Sequence, residues 1–181
     1  ALQKNVILIQ SNILDLTIMT NFVILGEYVE QADANGDTAL NVIDLVMFVQ
    51  IILNEFAREL EDDATYANLQ ILKGESKLLS DGFISGVQMT IAHGNDFEIS
   101  LTDQALLSEY NTNENKTTLI LLNLETENIF NYSGEFKVIE IIVSNRKGLI
   151  GTNIIPNNYN LNPAYPNPFN PTTNISFSIP V

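Results

Sequence analysis

Asp33-Ala34-Asn35-Gly36-Asp37-Thr38-Ala39-Leu40-Asn41-Val42-Ile43-Asp44 places side-chain oxygens at positions 1, 3, 5, 9 and 12 of a twelve-residue stretch. A hard divalent cation asks for that spacing. Calcium takes roughly six to eight oxygen ligands, and a loop of this length delivers them from alternate positions, ending on a carboxylate that grips with both oxygens. On this pattern Asp33, Asn35 and Asp37 ligate directly, Ala39 through its carbonyl, Asn41 through a water and Asp44 bidentately. Position 6, where a sharp turn favours glycine, is Thr38. A non-glycine residue at positive φ costs on the order of 1 kcal/mol, which weakens such a site without abolishing it. The plainer alternative for the same residues is a solvated Asx-rich turn.

Leu45, Phe48, Val49, Ile52 and Leu53 recur at helical spacing, so the loop opens an amphipathic helix. At an offset of 29 residues, Asn12-Ile13-Leu14-Asp15-Leu16 matches Asn41-Val42-Ile43-Asp44-Leu45, and Ile18, Met19, Phe22 and Val23 align with Met47, Phe48, Ile51 and Ile52. Lys4, Val6 and Leu8 stand at positions 1, 3 and 5 of this first copy, so one calcium ion is expected, in the second copy only. In place of a loop, Asn5-Val6-Ile7-Leu8-Ile9-Gln10 is an apolar β-prone run, a strand in search of a sheet. Asp at position 12, Asn at position 9 and the helix after them resemble the calcium repeat of dockerin modules. The resemblance implies a small calcium-stabilised, EF-hand-like helical module over residues 1–60.

The chain has 181 residues, 45% of them apolar, enough for one or two packed domains. Its 22 acidic and 8 basic residues leave a formal charge of −14. That balance argues against nucleic acid or anionic membrane as partner and suits an external surface and divalent cations. Cysteine is absent, so any staple beyond the core is expected to be calcium rather than a disulfide. No run of about 20 apolar residues predicts a membrane span, and no signal peptide precedes Ala1, so a mature form is expected if the protein is exported.

After the charged run Glu59-Leu60-Glu61-Asp62-Asp63 the apolar period changes from 3.6 to 2. Segments 66–72, 83–92, 97–102, 117–124 and 136–143 read as strands, punctuated by Gly74, Asp81-Gly82, His93 to Asp96, Asn111 to Asn115 and Ser133-Gly134. The fold class predicted is α+β: a helical module, an antiparallel β-sandwich over residues 61–155, and an extended Pro-rich tail over 156–181 ending in a strand. Gly86-Val87-Gln88-Met89-Thr90-Ile91 with Phe136-Lys137-Val138-Ile139-Glu140-Ile141-Ile142-Val143 resembles the strand pattern of cohesin-like domains.

Tyr165-Pro166-Asn167-Pro168-Phe169-Asn170-Pro171-Thr172-Thr173, followed by alternating Ile175, Phe177 and Ile179, resembles the opening of the C-terminal sorting module of type IX secretion substrates. The resemblance implies secretion to the cell surface of a bacterium with an outer membrane. Its later strands are not in this sequence, so the segment from Asn174 is expected to need a partner sheet.

Candidates for catalysis are thin. His93 is the sole histidine, and a Ser-His-Asp set through Asp96 is less plausible than a polar turn. Acid pairs Glu125/Glu127 and Asp62/Asp63 fit a solvated face better than a glycosidase, given 22 acids in the chain. The chain is therefore expected to be a non-catalytic structural protein whose copies assemble into a filament or layer by strand donation. The alternative is a binding module attached to another surface protein or to polysaccharide, and a third reading makes the chain the end of a larger exported enzyme.

Overall fold

The computed structural model describes residues 13–53, 62–155, 160–168 and 171–178. Helix α1 (Ile13–Leu25) and helix α2 (Val42–Leu53) flank a single 3-10 turn at Glu30–Ala32 and the twelve-residue loop. The strands are β1 (Tyr66–Leu72), β2 (Glu75–Ser80), β3 (Gly86–His93), β4 (Glu98–Leu101), β5 (Ala105–Asn113), β6 (Lys116–Leu124), β7 (Asn128–Ser133), β8 (Phe136–Asn145), β9 (Gly148–Leu149) and β10 (Gly151–Ile155). They form two sheets, in the orders β10-β1-β2-β7-β4 and β5-β6-β3-β8-β9. Every ladder in them is antiparallel except β1 with β10. The α+β class with a two-sheet sandwich is thus present.

The second sheet is covered on both faces, and β6 shows why. Leu119, Ile120, Leu121 and Leu122 are consecutive and all fully buried. A half-buried strand alternates, whereas one buried on both faces reads as a continuous apolar run. Leu119 and Leu121 join Val87, Met89, Ile91 and the first sheet's Leu69 and Phe130 between the sheets. Ile120 and Leu122 point the other way, into a second cluster with Leu16 and Val23 of α1 and Val42, Leu45, Val46 and Val49 of α2. The result is three layers, helices on sheet on sheet.

The buried stripe of α2 is Val42, Leu45, Val46 and Val49, whereas Leu53, expected on the apolar face, is 44% exposed. Both the offsets 0, 3, 4, 7 and the expected set have helical period; contact with the sheet chooses between them. Gly86 of β3 is where the helix comes closest: a Cβ there would sit 2.7 Å from Cγ2 of Val42 and of Val46 and 2.9 Å from Ser144 Oγ. Gln88 Oε1 accepts from Val42 N at 3.0 Å and Gln50 Nε2 donates to the Arg146 carbonyl at 2.7 Å, fixing the helix along the sheet.

Strand β1 has the span read from sequence, and Gly74 supplies the turn after it with φ 83°. Strands β2, β5, β7, β9 and β10 fall outside the segments read as strands, β9 being only two residues long. All are short or at a sheet edge, and in β2, β5 and β7 Ser, Asn, Thr and Glu dilute the alternation.

The tail differs from the extended connector expected. Residues Asn160–Leu161 (β11) pair antiparallel with Phe177–Ser178 (β12), Asn162 N donates to Ser176 O at 2.9 Å, and Tyr165 bridges Asn174. The chain therefore doubles back. Pro163, Pro166, Pro168 and Pro171 have no N–H to give a ladder, which breaks the pairing into short stretches. The apolar run Asn5–Gln10 lies outside the described residues.

Candidate functional site: the Asp33–Asp44 loop

The loop is built around its two ends. Asp44, in the first turn of α2, is fully buried. Its Oδ1 accepts from Ala34 N at 2.9 Å and Asn35 N at 3.3 Å, and its Oδ2 from Asn41 N at 3.0 Å. A carboxylate at a helix N-terminus is favoured by the helix dipole, and here it also draws the loop's start against its end. Asp33 works from the other side: Oδ1 accepts from Gly36 N at 2.7 Å, and Oδ2 from Thr38 N at 2.9 Å and from the Tyr28 hydroxyl at 3.0 Å. Desolvation pushes the Asp33 carboxyl up, but the donated N–H bonds of Thr38 and Gly36 and the Tyr28 hydroxyl outweigh it and hold the group below its ordinary value of 3.8. It is therefore ionised at neutral pH.

Between them, Asn35 Nδ2 donates to Asp37 Oδ2 at 2.9 Å and Asn35 Oδ1 accepts from Asp37 N at 2.8 Å. Asp37 Oδ1 accepts from Ala39 N and Asn41 Oδ1 from Ile43 N, both at 2.8 Å. Gly36 and Thr38 take φ 74° and 68°, so Thr38 does occupy the left-handed region that its loop position demands. All six candidate ligand residues, Asp33, Asn35, Asp37, Ala39, Asn41 and Asp44, thus share one tight loop closed by carboxylate-to-N–H bonds. The three carboxylates do not converge on one another: among the described residues no group of three or more His, Asp or Glu side chains stands together in metal-holding range. The donor set, all oxygen and half of it neutral, is of the type a hard cation accepts. The corresponding positions of the first copy, Lys4, Val6 and Leu8, lie outside the described residues.

The other acidic candidates have different surroundings. Arg146 Nε donates to Asp63 Oδ1 at 2.6 Å and Nη2 to Asp62 Oδ1 at 2.8 Å, with the guanidinium 5.0 Å over the Phe83 ring. The Asp63 side chain is only 7% exposed, so this acid is a buried ion-pair member rather than part of a solvated face. Nothing in the local sequence flagged it, since its partner lies 83 residues away. Glu125 and Glu127 line an open cleft of about 370 Å³ with Asp62, Phe83 and Leu124. The His93 ring nitrogens meet the Gly94 carbonyl at 2.9 Å and Thr117 Oγ1 at 2.8 Å, and the ring stacks on Phe97; neither nitrogen meets Asp96. Among the described residues no helix is long and apolar enough to cross a membrane.

No known family model matches the chain, and comparison with characterised proteins and with solved structures produced no match either, so the dockerin-like, cohesin-like and sorting-module resemblances rest on their motifs alone.

Proposed function

We propose that this chain is a non-catalytic, calcium-stabilised structural subunit of an external cell-surface filament or layer, whose copies join by donating a terminal strand to a neighbour. One observation carries it. The tail segment pairs only in a short broken hairpin, two β11–β12 pairs and the Tyr165–Asn174 bridge, yet holds Ile175 and Phe177 60% and 63% exposed at alternate positions. A strand with an uncovered apolar side and little pairing gains most by entering another sheet, where main-chain bonds give affinity and alternate side chains give register. Contacts of this head-to-tail kind propagate into open assemblies wherever the rotation between copies does not close a ring. Deleting residues 174–181 is expected to leave a folded monomer and abolish polymers in sedimentation velocity; polymers that persist after the deletion would refute strand donation from this end.

Calcium enters through the loop. Asp33, Asn35, Asp37, Asn41 and Asp44 with the Ala39 carbonyl are the residues that would hold it, and an ion bound there supplies charge neutralisation and ties α2 to the chain before it. A ligand at about 100 times its Kd stabilises the folded state by about 2.7 kcal/mol. Asp37 is exposed whereas Asp44 is buried with three N–H donors, so the two give different signatures. Asp37→Ala is expected to erase the calcium-induced rise in Tm and leave the Tm in chelator near that of the parent. Asp44→Ala is expected to lower it in both. A parent Tm indifferent to calcium would return the loop to an Asx-rich turn.

The binding-module reading is favoured by a separate feature: Leu14, Ile18 and Leu25 of α1 are 67%, 46% and 57% exposed along one stripe. A monodisperse monomer that captures a surface protein or polysaccharide in calcium and releases it in chelator would support that reading instead.

A further inference from the structure

We propose that the acceptor for the donated tail is the outer edge of β5 on a second copy of this chain, with Ile175 and Phe177 on the face that carries Leu106, Ser108 and Tyr110. This deepens the self-assembly reading and rests on it. Sheet edges differ in how they are guarded, since short length, bulges and charges all discourage a visiting strand. Strand β4 offers four residues and β10 five. The free stretch of β8 carries a register shift opposite Thr90/Ile91 and the charges of Lys137 and Glu140. Strand β5 is less guarded, and among the described residues no strand pairs with its outer edge. It runs nine residues without a register shift against β6, from Ala105 opposite Leu124 to Asn113 opposite Lys116, unpaired only at Leu106 opposite Asn123, which takes φ 49°; Glu109 is its single charge, and it has no Pro or Gly.

Its side chains suit the donor. Leu106 and Tyr110 fall on one face of β5 by the two-residue period and are 43% and 46% exposed, while Leu107 on the other face packs against the helical layer. A strand added outside β5 would lay its own alternate apolar residues next to this pair. Ile175 and Phe177 alternate in this way, two residues apart, so they cover half of the four-residue step from Leu106 through Ser108 to Tyr110, and they need that cover.

Electrostatics leaves the tail as the segment able to make this contact. Copies carrying −14 repel one another, so an approach through charged surface is opposed. Residues 148–181 contain no Asp, Glu, Lys or Arg at all, so this is the part of one copy that reaches another without that penalty. Leaving its own hairpin costs the tail the two β11–β12 pairs, the Tyr165–Asn174 bridge and the Asn162–Ser176 bonds, which a longer ladder on β5 replaces.

The test uses the full chain and two variants. The chain lacking residues 174–181 keeps only the acceptor edge, and Leu106→Lys/Tyr110→Lys keeps only the donor. Each alone is expected to sediment as a monomer, and an equimolar mixture as a dimer that grows no further. Polymers of the double variant indistinguishable from those of the parent would overturn the assignment to β5 while leaving strand donation standing. A parent chain that is monomeric at every concentration would remove the self-assembly reading and this inference with it. Should the double variant fail to fold, cysteine pairing decides, because the chain has no native Cys. Phe177→Cys mixed with Tyr110→Cys is expected to give a mixed disulfide dimer in high yield, and Phe177→Cys mixed with Ile154→Cys on β10 is not. Equal yields, or the reverse order, would overturn the β5 assignment.

Discussion

Arg146→Met is expected to lower the unfolding free energy by about 3 kcal/mol, because removing one partner of a buried ion pair strands the other charge. Asp63 is the group stranded: its side chain is 7% exposed, and Arg146, 13% exposed, supplies its shortest ion-pair contact at 2.6 Å. Lys147 approaches Asp63 only to 3.9 Å and is itself 79% exposed, too solvated to compensate. The residues around the pair are tied to the same place. Asn145 Nδ2 donates to the Ala64 carbonyl at 2.9 Å, and Asp63 bridges Phe83. The loss should therefore appear as a cooperative drop of the sandwich rather than local fraying. Adding Asp63→Asn to Arg146→Met should recover part of it, since the amide is cheaper to bury than an unpaired carboxylate. Chemical denaturation of the two single variants and the double variant checks this. A loss below about 1 kcal/mol for Arg146→Met would place the pair among surface ion pairs of little weight.

Gly86→Val should destabilise the chain by about 3 kcal/mol or more, and Gly86→Ala by about 2 kcal/mol, values ordinary for overpacking a filled core. The first added carbon already meets Val42 and Val46 methyls at 2.7 Å and Ser144 Oγ at 2.9 Å. Valine in a helix holds one preferred rotamer, so the two methyls retreat only if α2 lifts. Lifting α2 uncovers Ile120 and Leu122, which are fully buried beneath it. Because Val42 also opens the helix next to Asp44, the same substitution should weaken the proposed calcium-dependent part of the stability. Equilibrium unfolding with and without calcium measures both. An alanine variant as stable as the parent would mean that the helical layer is not pressed onto the second sheet at this point.

These two positions show where sequence patterning stops. Helices and strands announced themselves where one face alone is buried: β1 alternates, and its limits match the apolar run from Tyr66 to Leu72. Strand β6 was legible as a strand, yet its unbroken Leu119–Leu122 run already carried the sign of cover on both faces, and the helices proved to be that cover. Which stripe of α2 faces inward depends on Gly86, Gln88 and Ser144, residues that no periodicity of the helix contains. Polar edge strands such as β5 give no contrast for a two-residue period to act on. The loop was legible because spacing within twelve residues is local, and even the positive φ of Thr38 followed from its place in the pattern. The Asp63–Arg146 pair was invisible because its partners meet only after the sandwich closes.

Negative-stain electron microscopy of the full chain, first in calcium and then in excess chelator, tests self-assembly most directly. Regular filaments or sheets that loosen on chelation and vanish when residues 174–181 are removed are the predicted result. Dispersed single particles in both conditions would contradict strand-donated, calcium-stabilised assembly.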